Sequence, residues 1–232
     1  MNLNTVDFEE LLRIGAGKEL YRGADGRILL EEEQDGFCVL MSDILDGKTL
    51  LERLRALQLP PFSLATVKSV DARRALEREY GFDGCNPCTQ WVYCLPEPPQ
   101  YPACDIRPLT ADYAETAGEQ YHQNFDYVRD RIAAGKMWGL FEDGTLAGFI
   151  GVHTEGAMGM LEIYPAYRKR GYGYALEAFL IGRQMETGAT PYCHVIDGND
   201  ASVRLQKKLG LQKADLPAIW CWKENDDMVQ MT

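Results

Sequence analysis

The stretch 160–174 constrains what this chain can fold into more than any other part of the sequence. Residues 160–164 form a largely apolar run that predicts a strand, and Pro165 ends it because proline cannot donate a hydrogen bond to a central ladder. Basic residues and glycines follow, at Arg168, Lys169, Arg170, Gly171 and Gly173. Apolar residues then recur at helical spacing, at Leu176, Phe179 and Leu180. The order is therefore a strand, a basic turn that contains glycine, and a helix.

A turn of this kind is typical of an anion-binding site. Free backbone N–H groups lie at the N-terminus of the helix, where the helix dipole also favours negative charge. The glycines let the backbone approach a ligand closely, and the basic side chains add charge-assisted hydrogen bonds. The turn predicts a phosphate or pyrophosphate ligand. Its spacing is neither the Gly-x-Gly-x-x-Gly of dinucleotide sites nor the Gly-Lys-Ser/Thr of a P-loop.

Residues 168–173, Arg-x-x-Gly-x-Gly, resemble the loop with which the GNAT acyltransferase superfamily holds the pyrophosphate of acyl-CoA. Residues 199–211 are similar to the closing motif of that family, Asn-x-x-Ser-x-x-Leu-Tyr-x-Lys-Leu-Gly-Phe. Leu211 replaces the phenylalanine, and Gln206 replaces the tyrosine that protonates the leaving CoA thiolate in many members. Because a glutamine cannot donate a proton to a thiolate as a phenol does, another group or water must supply that proton.

The resemblance implies a CoA-dependent N-acyltransferase with acetyl-CoA or another acyl-CoA as its co-substrate. It also implies a set of cofactor-binding residues in the loop and in the closing motif: Ile163, Tyr164, Arg168, Lys169, Arg170, Gly171, Tyr172, Gly173, Tyr174, Asn199 and Ser202. In this family a backbone N–H of the strand polarises the thioester carbonyl, and by correspondence it belongs here to Ile163 or Tyr164.

Transfer to an amine further requires a base for the amine and an acid for the thiolate. In glycine N-acyltransferase-like proteins the candidate base is a glutamate whose matching position here is Ala157. The alternatives are Glu162, within the apolar strand, and Glu155, a loop residue that we expect to be solvated. His194 falls on the next strand, beside the thioester region of this fold, and a histidine that titrates at about pH 6.5 suits a proton relay. We therefore predict Glu162 and His194 as catalytic residues, with a buried structural role as the alternative for His194.

The pattern of residues 191–199, Pro-x-x-His-Val-x-x-x-Asn, together with Trp220 and Trp222, is similar to the glycine N-acyltransferase-like branch. That branch implies a small-molecule amine or an amino acid as the acceptor. Residues 121–127 lie where the acceptor-covering helices of the family lie, so they line an acceptor pocket or belong to the core. A non-catalytic acyl-CoA-binding sensor is the alternative function, because Ala157 and Gln206 both replace catalytic positions of the family.

The proline-rich stretch 96–102 is the clearest boundary in the chain. We expect a mixed α/β (α+β) fold. Its predicted parts are a degenerate GNAT-like α/β domain at 1–95, a linker at 96–102 and a catalytic GNAT domain at 103–232. In the N-terminal part, residues 4–21 predict a weak amphipathic helix ended by glycines, and strands at 27–32 and 37–42 pair across a turn at 34–36. Since this part has no glycine-rich anion loop, we expect one cofactor per chain.

The net charge of −11 argues against a nucleic-acid partner, which requires a basic face. No apolar run approaches the roughly 20 residues of a membrane span, and residues 1–10 lack the basic region of a secretory signal. We therefore expect no membrane partner and a cytoplasmic protein whose seven cysteines are reduced. Cys85 and Cys88 form a lone Cys-x-x-Cys without a second pair, so we expect buried or loop thiols and no metal; a zinc site that adds Cys94 and Cys104, in an interaction module, is the alternative. The oligomeric state is not indicated.

Overall fold

The computed structural model describes residues 1–32, 38–121 and 125–223, and the chain forms two compact units. Unit 1 comprises Met1–Trp91, His194–Asn199 and the described residues from 213 onwards, and unit 2 comprises Val92–Cys193 and Asp200–Gln212. The helices are α1 (Val6–Arg13), α2 (Gly47–Ala56), α3 (Val70–Tyr80), α4 (Ala114–Tyr121), α5 (Phe125–Ala133), α6 (Tyr172–Glu186) and α7 (Asp200–Leu209). The strands are β1 (Gly17–Gly23), β2 (Gly26–Glu32), β3 (Cys38–Ser42), β4 (Leu64–Val67), β5 (Gly84–Val92), β6 (Asp105–Pro108), β7 (Met137–Glu142), β8 (Thr145–Val152), β9 (Met158–Ile163), β10 (Tyr192–Ile196) and β11 (Gln212–Trp222).

Unit 1 is built on a seven-stranded sheet in the order β1-β2-β3-β4-β11-β5-β10. β1, β2 and β3 pair antiparallel, whereas β3 and β4 run parallel and are joined through α2, because a parallel pair needs a long crossover. β11 pairs antiparallel with β4, with Ile219 opposite Val67. The mixed α/β architecture predicted from the sequence is confirmed.

The two helices between β3 and β5, α2 and α3, are capped by residues of their own sequence. The Asp46 side chain accepts a hydrogen bond from the Thr49 N–H at 2.7 Å, and the Ser69 hydroxyl accepts one from the Ala72 N–H at 3.0 Å. α3 ends at Gly81, which has a left-handed φ of 73°. The apolar faces of both helices pack on the sheet in a core that includes Ile28, Leu40, Leu50, Leu54, Val67, Leu76 and Ile219.

The prediction of one helix over residues 4–21 is only partly right. α1 ends at Arg13, and residues 17–23 form β1, which pairs with β2. Strand pairing therefore overrides the weak helical pattern of the second half of this stretch. The predicted pairing of β2 with β3 is confirmed, while the turn at 34–36 lies outside the described residues.

Unit 2 contains an antiparallel sheet in the order β6-β7-β8-β9. Met137 packs in the core under α4 and α5, and its neighbour Trp138 contacts Phe179 of α6 edge-on, with ring centroids 6.1 Å apart. Because successive residues of a strand point to opposite faces, α6 covers one face of the sheet, and α4 and α5 cover the other. Among the described residues, no helix has both the length and the apolar character that crossing a bilayer requires.

The two units divide the chain differently from the predicted boundaries at 1–95, 96–102 and 103–232. Residues 194–199 and the part of β11 from 213 onwards belong to unit 1, because β11 lies between β4 and β5. The interpretation of residues 1–95 as a degenerate half-domain stays a prediction.

Candidate functional site

The basic turn of unit 2 has the backbone geometry of an anion site, and we call residues 168–174 the cradle. β9 ends at Ile163, and α6 begins at Tyr172. Between them Lys169 and Gly171 adopt left-handed conformations, with φ of 63° and 86°. Left-handed residues in such a turn let successive N–H groups form an anion-binding concavity. Gly171 is the N-cap of α6 and has no side chain to cap it, so the N–H groups of the first turn face a ligand.

Gly173 lies in the first turn of α6, where the sequence pattern requires a small residue. A Cβ atom there would lie 3.8 Å from Ile163 Cγ1, 3.9 Å from Leu205 Cδ2 and 4.0 Å from Leu161 Cδ2. These are ordinary van der Waals contacts, so packing within the protein does not demand a glycine. The close approach of a ligand to the backbone explains the residue better.

The two arginines of the cradle are held by carboxylates. Arg168 donates from Nε to the Ile163 carbonyl and from a terminal nitrogen to Glu162 Oε1, both at 2.9 Å. Arg170 donates to Glu142 Oε2 at 2.7 Å, and the Tyr172 hydroxyl donates to Glu142 Oε1 at 2.5 Å. Because the Arg168 side chain is 57% exposed, its ion pair with Glu162 is weak enough for a phosphate to replace it.

A bulge in β9 lies directly before the cradle. Gly159 pairs with Gly151 and Glu162 pairs with Phe149, so Met160 and Leu161 together oppose the single residue Ile150. Met160 has a left-handed φ of 52°. The sequence carries no signal for this bulge, since methionine is not a residue that favours positive φ.

One backbone N–H of this strand points away from the sheet. The Tyr164 N–H donates to the Ala147 carbonyl at 3.0 Å, which makes Gly148 and Ile163 a pair without mutual hydrogen bonds. The Ile163 N–H is therefore directed away from β8, at the edge of the four-stranded sheet. Two backbone N–H groups were predicted as donors to the thioester carbonyl. The structure favours that of Ile163, because the Tyr164 N–H already donates to the Ala147 carbonyl.

The candidate bases differ from expectation in their surroundings. The Glu162 side chain is 27% exposed and accepts the Arg168 hydrogen bond described above. Glu155 is buried, so the expectation that it is solvated is wrong. The connection between β8 and β9 folds inward, and the Tyr192 hydroxyl donates to the backbone carbonyl of Glu155 at 2.9 Å. Ala157, at the family's glutamate position, is buried as well.

His194 lies in unit 1, and both of its ring nitrogens have partners. Trp220 Nε1 is 3.1 Å from His194 Nδ1, and Gln90 Oε1 is 2.8 Å from His194 Nε2. An indole N–H only donates, so Nδ1 is the acceptor, and this network assigns the ring proton to Nε2, which donates to Gln90. These contacts fix one neutral tautomer and favour a structural role; the proton relay predicted for His194 stays a prediction.

The His194 network continues into a buried ion pair. Lys68 Nζ donates to Asp7 Oδ2 at 2.5 Å and lies 3.3 Å from Gln90 Oε1. Burial raises the pKa of Asp7, and the positive charge of Lys68 opposes that rise. The network joins α1, β4, β5 and β10 through polar groups that would be costly to leave unpaired.

The predicted site residues thus fall into two sets. Those from 162 to 174 and Ser202, in the first turn of α7, belong to unit 2. His194 and Asn199 belong to unit 1.

In the predicted acceptor segment 121–127, residues 122–124 lie outside the described residues. The hydroxyl of Tyr127 hydrogen-bonds His153 Nδ1 at 2.8 Å, and burial raises the pKa of Tyr121 to about 12.

The Cys-x-x-Cys motif lies within β5. Burial raises the pKa of Cys88 to about 12, so this thiol stays protonated and unreactive at neutral pH. In the part of the chain that the structure describes, no three His, Cys, Asp or Glu side chains form a group able to hold a metal ion.

Comparison with known proteins bears on the same site. Residues 105–211, which span β6 to α7, match the family model described as Acetyltransferase (GNAT) family. This match supports an N-acetyltransferase enzyme of the GNAT family, whose co-substrate is acetyl-CoA. No curated protein matches the chain in sequence.

Several solved structures resemble nearly the whole chain. A Drosophila protein is 20% identical and has a TM-score of 0.68, with 95% of this chain and 89% of that chain covered. A GCN5-related N-acetyltransferase from Kribbella flavida is 14% identical and has a TM-score of 0.60, with 97% and 96% covered. A tandem GNAT protein from the clavulanic acid biosynthesis pathway is 17% identical and has a TM-score of 0.50, with 93% and 86% covered. At these identities the likeness shows the fold alone.

Proposed function

We propose that this chain transfers an acetyl group from acetyl-CoA to the amine of a small molecule or an amino acid. The observation that carries the proposal is the cradle. Its left-handed turn opens onto the uncapped N-terminus of α6, directly after a strand whose Ile163 N–H points off the sheet. The GNAT match over residues 105–211 supports the same cofactor.

In the proposed complex, the pyrophosphate lies on the N–H groups of residues 172–174. Arg168 and Arg170 exchange their carboxylate partners for phosphate oxygens, which a guanidinium can bind in a bidentate manner. Lys169 adds positive charge beside them. Ser202, in the first turn of α7, is proposed to hold the cofactor as well, and the role of Asn199 stays a prediction from the sequence.

The proposed chemistry takes place on β9. The Ile163 N–H donates to the thioester carbonyl and stabilises the negative charge that develops on its oxygen. Glu162 accepts the proton of the attacking amine. Arg168 connects cofactor binding to this proton transfer, because its move to the phosphate leaves the Glu162 carboxylate without its present partner.

The acceptor is proposed from the reaction and from the resemblance to the glycine N-acyltransferase-like branch. A net charge of −11 attracts protonated amines to the protein, which favours a cationic acceptor over an acidic one. Of the branch pattern, His194 and Trp220 form a buried hydrogen-bonded pair, so this part of the pattern reflects packing and carries no information on the acceptor.

Release of free CoA tests the proposal. The purified chain is incubated with acetyl-CoA and with glycine, other amino acids, or small alkyl and aryl amines, and thiol release is followed for each amine. We expect release that depends on one class of amine, with an acetylated product of matching mass. Calorimetric binding of acetyl-CoA without release for any amine would instead support the acyl-CoA-binding sensor.

A further inference from the structure

A buried carboxylic acid faces the residue that replaces the family tyrosine. Gln206 of α7 and Glu177 of α6 are each 3% exposed, and the Gln206 side chain donates a hydrogen bond to the Glu177 carboxyl group. Both residues belong to unit 2. A carboxyl group in a position so removed from water is costly unless it is neutral or well paired.

Two oxygens of this pair have no partner. Among the described residues, nothing hydrogen-bonds Glu177 Oε2 or Gln206 Oε1. A proton on Glu177 lessens this deficit, because a neutral carboxyl is less costly to bury than a carboxylate and carries an O–H donor in place of one acceptor. The pair is therefore best understood as a carboxylic acid held by an amide.

The acid–amide pair adjoins the cradle. Glu177 lies four residues after Gly173, so both occupy the same face of α6. That face meets β9 at Leu161 and meets α7 at Leu205, which directly precedes Gln206. The pair thus lies between α6 and α7, one helical turn from the point at which Gly173 faces Leu161 of β9.

We propose that Glu177 donates the proton to the departing CoA thiolate and that Gln206 positions it, so that the two residues replace the tyrosine. This rests on the proposed function. As the tetrahedral intermediate collapses, the C–S bond breaks and its electron pair goes to sulfur. Sulfur takes the proton from Glu177 Oε2, which gives the CoA thiol and the Glu177 carboxylate. The carboxylate keeps its hydrogen bond from Gln206 and regains a proton from water before the next turnover.

The acidity of Glu177 suits this role. Burial raises its pKa to about 7, the Gln206 hydrogen bond opposes the rise, and no charged side chain of the described residues contributes. Such an acid is present at neutral pH and gives its proton readily to a thiolate, whose thiol has a pKa of about 8.5. Burial raises the pKa of the Tyr164 phenol, which packs against Phe149 in the core under α4 and α5, to about 12, so that group holds its proton too tightly.

The first test is Glu177→Gln, which keeps the shape of the side chain and removes its acidic proton. We expect kcat to fall by about 10²-fold, the usual effect of a positioned acid, while KM for acetyl-CoA is unchanged. Wild-type kcat should decline above about pH 7 as the acid deprotonates, and this decline should be absent in the variant. Glu186→Gln is the matched control, since it makes the same change at the exposed end of α6.

Two further measurements separate catalysis from packing. Gln206→Tyr in the Glu177→Gln background places a phenol at the family position, and we expect it to restore much of kcat. In the unliganded protein, the infrared difference between wild type and Glu177→Gln should show a protonated carboxyl band at pH 6 that is lost at pH 8. A folded Glu177→Gln variant with wild-type kcat overturns only this proposal, as does a missing carboxyl band. A wild-type chain without transferase activity overturns the proposed function as well.

Discussion

At the scale of single residues, the structure changes the interpretation of His194 and Glu177. His194 was predicted as a relay from its place in a motif, yet the contacts with Trp220 and Gln90 occupy both ring nitrogens. Glu177 was not predicted as a catalytic residue, because a single glutamate in a helical stretch is usually exposed to solvent. Neither environment can be inferred from the neighbouring residues in the sequence, since the partners come from distant parts of the chain. The turn between strand and helix, by contrast, was predicted correctly because its signal is local, although Tyr172 and Gly173 already belong to α6.

Replacing His194 should reveal its structural role. His194→Ala removes the acceptor of the Trp220 N–H and one of the two donors to the Gln90 oxygen, and we expect the free energy of unfolding to fall by about 2–4 kcal/mol. His194→Asn should cost less, because an amide oxygen still accepts from Trp220. Denaturant unfolding followed by tryptophan fluorescence measures both. A kcat loss of about 10²-fold with unchanged stability would contradict this expectation and support the relay.

Glu177 should make the stability of the protein depend on pH. Its pKa is raised from an ordinary 4.5 to about 7 in the folded state, so folding binds a proton between these values and stability falls as pH rises through them. Above pH 7 the full cost is about 3 kcal/mol, and below pH 4.5 it vanishes. Glu177→Gln should therefore be more stable than wild type by about that amount at pH 8 and nearly equal to it at pH 4.5. Equal pH dependence of the unfolding midpoints in both proteins would show that Glu177 is not desolvated.

At the scale of elements, the cradle joins a strand to a helix through a turn that only part of the sequence pattern anticipates. Gly171 is required by its positive φ, and the motif contains it. The left-handed Lys169 and the bulge at Met160 were not predicted, because both are held by surrounding structure against the preference of the residue. Such a bulge bends the strand, and here it lies directly before the cradle.

The cradle gives a prediction that separates binding from folding. Gly173→Val should weaken acetyl-CoA binding by at least about tenfold, because a branched side chain occupies the space that the pyrophosphate needs. The fold should persist, since the Cβ position has no neighbour closer than 3.8 Å. Gly182→Val, in the same helix beyond the cradle, is the matched control. Isothermal titration compares the two, and wild-type affinity in Gly173→Val would show that the cradle does not hold the cofactor.

At the scale of the whole molecule, the seven-stranded sheet is assembled from both ends of the sequence. The sequence predicted a proline-rich boundary, but not that β11 would lie between β4 and β5. Strand order depends on long-range pairing, which periodicity does not encode. The mixed α/β class was predictable, because alternation of strands and helices is a local pattern.

A split of the chain tests this arrangement. The fragment 1–95 lacks β11, so a gap remains between β4 and β5, and we expect the fragment to be unfolded by circular dichroism. Adding the fragment 103–232 should restore strand signal, because it supplies β11. If fragment 1–95 unfolds cooperatively on its own, it is an independent domain, as its sequence suggested.

The position of β11 also sets the order in which the protein is completed during synthesis. β4 and β5 are synthesised before residues 93–211, and the strand that separates them follows only afterwards. Until then the facing edges of β4 and β5 present unpaired backbone groups, which neighbouring nascent chains on a polysome are able to pair with. Slow translation between residues 93 and 211 should therefore lengthen the interval in which chaperones must shield these edges, even though no contact of the finished protein is altered.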